Sequence, residues 1–120
     1  MNIWYAAAAI VAAMTCAVHV VVGGRELVGP LLASRDMHRV TVLTHYYCWH
    51  LVSVALAAIA LGLALAAWDP QWRLLGIAST VLAAAFGLLN IGYALAFRLS
   101  PRLLPQWLLF AAIALPGALG

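Results

Sequence analysis

Apolar side chains fill four stretches of the chain, 3–22, 40–67, 73–97 and 105–119. Polar residues are confined to the short segments between them and to a few isolated positions inside. Within each stretch the apolar character runs round the whole helical period and leaves no solvated face. That is the pattern of a helix enclosed by lipid or protein, not of an amphipathic surface helix. Crossing the bilayer core takes roughly 20 mostly apolar residues. The pattern therefore predicts an all-α integral membrane protein, a four-transmembrane-helix bundle built as one transmembrane domain over 1–120, with the last stretch the shortest.

The punctuation between the stretches sharpens this outline. Trp4 and Tyr5 open the first as interfacial anchors, and Gly23-Gly24 is expected to stop it. The connection that follows, 23–39, is the longest. Leu27, Val28, Leu31 and Leu32 recur there at i, i+1, i+4 and i+5 beside Arg25, Glu26 and Arg35. A short helix lying in the interface and broken at Gly29-Pro30 is expected, with re-entrant backbone as the alternative. Ser34 ahead of Arg35 and Asp36 reads as an N-cap, which would start the second helix before the membrane. Trp68-Asp69-Pro70-Gln71-Trp72 sets two indoles at an interface, and Arg98-Leu99-Ser100-Pro101-Arg102 makes the third turn.

Composition excludes a soluble domain: 68% of residues are hydrophobic and 8% charged, with a mean hydropathy of +1.08. The formal charge of +3 comes from six arginines against Glu26, Asp36 and Asp69. The arginines sit at helix ends, which reads as orientation and not as a nucleic-acid footprint. Arg25, Arg35, Arg39, Arg98 and Arg102 lie in the first and third connections, and only Arg73 lies on the other side. The positive-inside rule then places those two connections in the cytoplasm and both termini outside it. An Ala-rich chain without lysine points to a bacterial inner membrane. The first stretch follows no Lys or Arg and is longer than a secretory h-region, so it is expected to stay as a span. Ala13-Met14-Thr15-Cys16 is a poor lipid-attachment box. Small residues such as Ala57, Ala60, Gly76, Ala83 and Gly87 permit close helix contact and are compatible with a homo-oligomer.

Candidate chemistry is concentrated in HRVTVLTHYYCWHLVS, His38 to Ser53, which holds three of the four histidines and one of the two cysteines. Measured from the cytoplasmic helix ends, His19 and His45 lie roughly 5–6 Å inside, Cys48 and Asn90 about 10 Å and His50 about 14 Å. All fall in one leaflet, whereas the other has only small hydroxyls such as Ser79 and Thr80, which bond to their own backbone. On the second helix His38, His45 and Trp49 share one stripe. His50 lies with Tyr46 and Ser53 on another, roughly 100° away.

Ionisable groups inside a membrane are costly and mark function by default. Imidazole ligates zinc, copper and haem iron, and a thiolate shifts the choice to zinc or copper. One reading is thus a metal or haem b held between the first two helices by His19 and His45, with Cys48 and His50 as further candidates. Tyr46, Asn90 and Glu26 would then support the ligands, Glu26 by fixing the His19 tautomer. His38 and Arg39 read as interfacial. The alternative is an accessory or structural subunit of a larger membrane complex, its histidines bonded to headgroups, carbonyls or neighbouring helices. A small proton-coupled transporter is the third reading. His19 would have to titrate in it, since no acid lies within a span. No nucleophile and base pair, and no pair of acids, points to an enzyme.

Overall fold

The computed structural model describes residues 1–100, 102 and 105–120, and all regular structure among them is helical. Helix α1 (Ile3–Val18) opens at Asn2, whose Oδ1 accepts hydrogen bonds from the Trp4 and Tyr5 amides. The same residue donates its backbone N–H to Ala67 O at 2.8 Å and its side-chain amide to Gly120 O at 3.1 Å. One asparagine thereby caps a helix and ties it to two others.

The helix does not stop at Gly23-Gly24. It continues as a π-helix (His19–Val28) and then as α2 (Gly29–Ala33), a single helical path of 31 residues. A glycine ends a helix by turning left-handed, and no glycine here has a positive φ. The break expected at Gly29-Pro30 is also absent. Pro30 falls in the first turn of α2, where bonding changes from i→i−5 to i→i−4 and a missing N–H costs little. Ser34 closes α2, its N–H bonded to Leu31 O at 3.2 Å, and is not the N-cap of the next helix. That cap is His38, whose Nδ1 accepts from the Val40 amide at 3.3 Å, so α3 (Arg39–Trp68) starts later than Ser34 implied.

After a 3-10 turn at Pro70–Trp72 come α4 (Arg73–Ala96) and α5 (Gln106–Leu119). Three helical segments, Ile3–Ala33, Arg39–Trp68 and Pro70–Ala96, are long and apolar enough to cross a membrane. The fourth, α5, has 14 residues. At 1.5 Å per residue it reaches about 21 Å, less than the roughly 30 Å of a bilayer core.

Helix α1 packs on α3 and α5, and α4 packs on the same two, so the four close into a ring. The core at the Asn2 end is built from Tyr5, Ala8, Ala12, Ile59, Leu63, Ala83 and Ile113. Small residues set the spacing. Gly62 faces Ser79, Gly117 faces Thr80, and Gly76 lies against Ala66 and the Tyr5 ring. Lipid tails are as apolar as these side chains, so the helices are held by close van der Waals fit and not by escape from water.

Helix α4 ends in a Schellman turn: Leu99 N–H bonds to Ala94 O at 2.8 Å and Arg98 N–H to Leu95 O at 3.2 Å. The turn forces Arg98 to φ 52°, a left-handed conformation that costs a residue with a Cβ roughly 1–2 kcal/mol. Arg98→Gly is therefore expected to stabilise the protein by about 1 kcal/mol, read as a higher midpoint in denaturant titration of the detergent-solubilised chain.

Candidate functional site

The polar cluster forms where the end of α1 and the start of the π-helix meet the first half of α3. Two side chains about one turn apart, one near the end of α1 and one at the start of the π-helix, each reach a main-chain oxygen of α3. Cys16 Sγ donates to Ser53 O at 3.8 Å, and His19 Nε2 lies 3.3 Å from Trp49 O. A carbonyl only accepts, so His19 bonds through Nε2–H, which leaves Nδ1 as a lone pair in the neutral ring. Ser53 Oγ donates to the same Trp49 oxygen at 3.2 Å.

Trp49 is the hub. The His19 ring stacks on its indole, centroids 4.6 Å apart and planes 20° off parallel, and His50 meets its edge at 5.2 Å and 78°. Tyr46 in turn stands T-shaped against His50 at 4.5 Å. On its π-helix side the indole covers glycine: a Cβ at Gly23 would lie 3.6 Å from Nε1 and one at Gly24 3.9 Å from the far edge of the ring. Nε1 itself is buried and has no hydrogen-bond partner among the described residues. A buried donor left this way costs about 1–3 kcal/mol, so ring packing, not the N–H, holds tryptophan here.

The remaining candidates are dispersed. The bonds of Cys16 and His19 set the register, in which Trp49 is level with His19. His45 then lies one turn further toward the start of α3, about 6 Å along the axis. It is exposed, and its Nδ1 donates to Thr41 O at 2.8 Å. Cys48 and His50 are exposed, as are Glu26 at the far end of the π-helix, His38 and Arg39. Asn90 belongs to the other side of the ring, where its Nδ2 donates to Gln106 Oε1 at 3.2 Å across α4 and α5. Among the described residues, no group of three or more His, Cys, Asp or Glu side chains is placed to hold a metal ion.

Sequence reading picked out His19, His50 and Tyr46, which the fold brings together, but missed Trp49 as their centre and Cys16 as a donor. The stripe shared by His45 and Trp49 was visible. Which of the two meets His19 depends on the offset between α1 and α3, and no residue pattern carries that offset. Gln106 was missed as well. No family model, no characterised protein and no solved structure is detectably similar to this chain.

Proposed function

We propose that this chain is a four-span protein of a bacterial inner membrane, the short α5 crossing by local thinning of the bilayer, with both termini outside the cytoplasm, and that it serves as an accessory subunit of a larger membrane assembly. The offset between α4 and α5 supports the reading. The bond from Asn90 to Gln106 joins the first residue of α5 to a position six residues before Ala96, the end of α4. Helix α5 thus begins about 9 Å short of the end of its neighbour. Among the described residues Asn90 Oδ1 is buried there without a partner, and Tyr93, Leu95 and Phe97 stand 56%, 71% and 65% exposed beyond it. A polar acceptor at this depth, beside an aromatic and aliphatic flank and an α5 start with no side-chain cap, suits a neighbouring protein helix better than lipid.

In this reading the contacts between His19, Trp49 and His50 are an interhelical clasp. Extraction in mild detergent followed by native electrophoresis tests it: the chain is expected in a band well above the mass of one or two 12.8 kDa copies, and Tyr93→Ala with Phe97→Ala is expected to release it. Migration of the wild type as a monomer or homodimer overturns the proposal.

One observation favours a second reading. His19 and His45 each turn one ring nitrogen to a main-chain carbonyl as donor, which in the neutral ring leaves the other nitrogen to bind a metal, the arrangement that orients metal-bound histidines. Haem b, zinc or copper held by these two residues would show as a Soret band or stoichiometric metal in the purified protein, lost in His19→Ala. A colourless, metal-free preparation removes that reading and leaves the first standing.

A further inference from the structure

The Tyr5 hydroxyl is a polar group that the fold leaves unused at the Asn2 end. Its ring is gripped between α4 and α5: a Cβ at Gly76 would lie 2.9 Å from it and one at Gly120 2.8 Å. The residue is 2% exposed, and its Oη has no hydrogen-bond partner among the described residues. Yet Oη is not one of the fully buried atoms, so the small exposure that remains includes the oxygen. Helical side chains lean toward the N-terminus of their helix, which turns this hydroxyl toward Asn2. It opens there into a half-enclosed pocket of about 420 Å³, lined also by Asn2, Ala66, Ala67, Pro70 and Arg73. Phenylalanine would fill the same space between the helices, so packing alone does not call for the oxygen.

Arg73 sets the charge of the pocket. Its side chain forms no ion pair or hydrogen bond among the described residues. Asp69, the one acid at this end, does not line the pocket, and its Oδ1 accepts from the Gln71 amide at 2.9 Å. Met1 and Gly120 line it too, and the opposite charges of an amino and a carboxyl end offset each other. What remains is a guanidinium with its planar fork of donors beside a phenol sheltered from water. The complement of that pair is an oxyanion. The exposed indoles of Trp4, Trp68 and Trp72 stand at the same end and put the pocket at the depth of the headgroups, where the oxyanions are phosphates.

We infer that this pocket binds a phosphate group at the membrane surface, the Arg73 guanidinium balancing its charge and the Tyr5 hydroxyl donating to one of its oxygens. The phosphate belongs to a phospholipid headgroup or is free phosphate on that side of the membrane, since both present the same oxygens to the two donors. The site lies at the opposite end of the bundle from the His19 cluster and does not depend on a partner at α4.

Isothermal titration calorimetry of the full chain in maltoside micelles and phosphate-free Tris chloride is the test, with inorganic phosphate and dihexanoyl phosphatidylglycerol as separate probes. Saturable binding at one site per chain is expected for at least one of them. Tyr5→Phe, which keeps the ring between Gly76 and Gly120, and Arg73→Gln are each expected to weaken it about tenfold. Arg25→Gln, at the other end of the bundle, is expected to leave it unchanged. Circular dichroism confirms that each variant is folded. Binding of the lipid without binding of inorganic phosphate identifies the headgroup as the source, and binding of inorganic phosphate identifies the free ion. Absence of saturable binding by both probes overturns the inference. So does wild-type affinity in either pocket variant, which would leave the hydroxyl bonded to water alone.

Discussion

Trp49→Ala is expected to destabilise the protein by about 3 kcal/mol, and Trp49→Phe by less than about 1 kcal/mol. The alanine variant loses the surface on which His19 stacks and the edge that His50 meets, and it leaves a space beneath Gly23 and Gly24 that the π-helix cannot close without changing its bonding. The cost is set somewhat below that of a fully buried tryptophan because this side chain is half-buried. The phenylalanine variant keeps a ring for His19 and removes Nε1, which has no partner among the described residues to lose. His19 also bonds to the main-chain oxygen of residue 49, which both variants retain. Denaturant titration in mixed micelles, followed by circular dichroism, separates the two. Equal losses in Trp49→Ala and Trp49→Phe would mean that the indole N–H, and not the ring packing, carries the contact.

Gly76→Ala is expected to cost about 1–3 kcal/mol, whereas Gly92→Ala, on the same helix, is expected to be neutral or to gain up to about 1 kcal/mol. A Cβ at Gly76 would lie 2.6 Å from the Ala66 Cβ and 2.9 Å from the Tyr5 ring. Neither neighbour can swing away, since Ala66 has no further atoms to move and Tyr5 is 2% exposed. Helices α3 and α4 would have to part, and that contact also sets the fit of α1 through Tyr5. At Gly92 no neighbouring atom of the described residues lies within 4 Å of the added methyl, so only the better helix propensity of alanine remains. The same titration reads both. A Gly76→Ala variant as stable as the wild type would show that the helices can open at no cost.

Read from residues alone, the chain was already a set of membrane helices, because transfer into hydrocarbon is close to a sum over local side chains and a long apolar run declares itself. The three long apolar segments and the shortness of the last were legible in this way, as was the concentration of histidine, cysteine and asparagine at the end opposite Asn2. Helix boundaries in the first connection were not. Gly23-Gly24 stops a helix only if it turns left-handed, and Ser34 and His38 are both acceptable caps. Val28 is buried and the Trp49 ring lies over Gly23 and Gly24, contacts between helices that no local signal contains.

The cluster shows the same division. His19, Tyr46 and His50 stood out because polar atoms in lipid are costly wherever they lie. Their gathering about Trp49, the bond from Cys16 to Ser53 and the pairing of Asn90 with Gln106 were decided by the register of neighbouring helices. In lipid that register is set by shape, by Gly62 against Ser79 and Gly76 against Tyr5, and small residues this abundant leave many offsets equally plausible until the whole ring is assembled. The long apolar helices, with the membrane character they carry, were therefore properties of the sequence by itself. The partners of each polar group belong to the tertiary structure, because only the closed packing of four helices selects one offset among many.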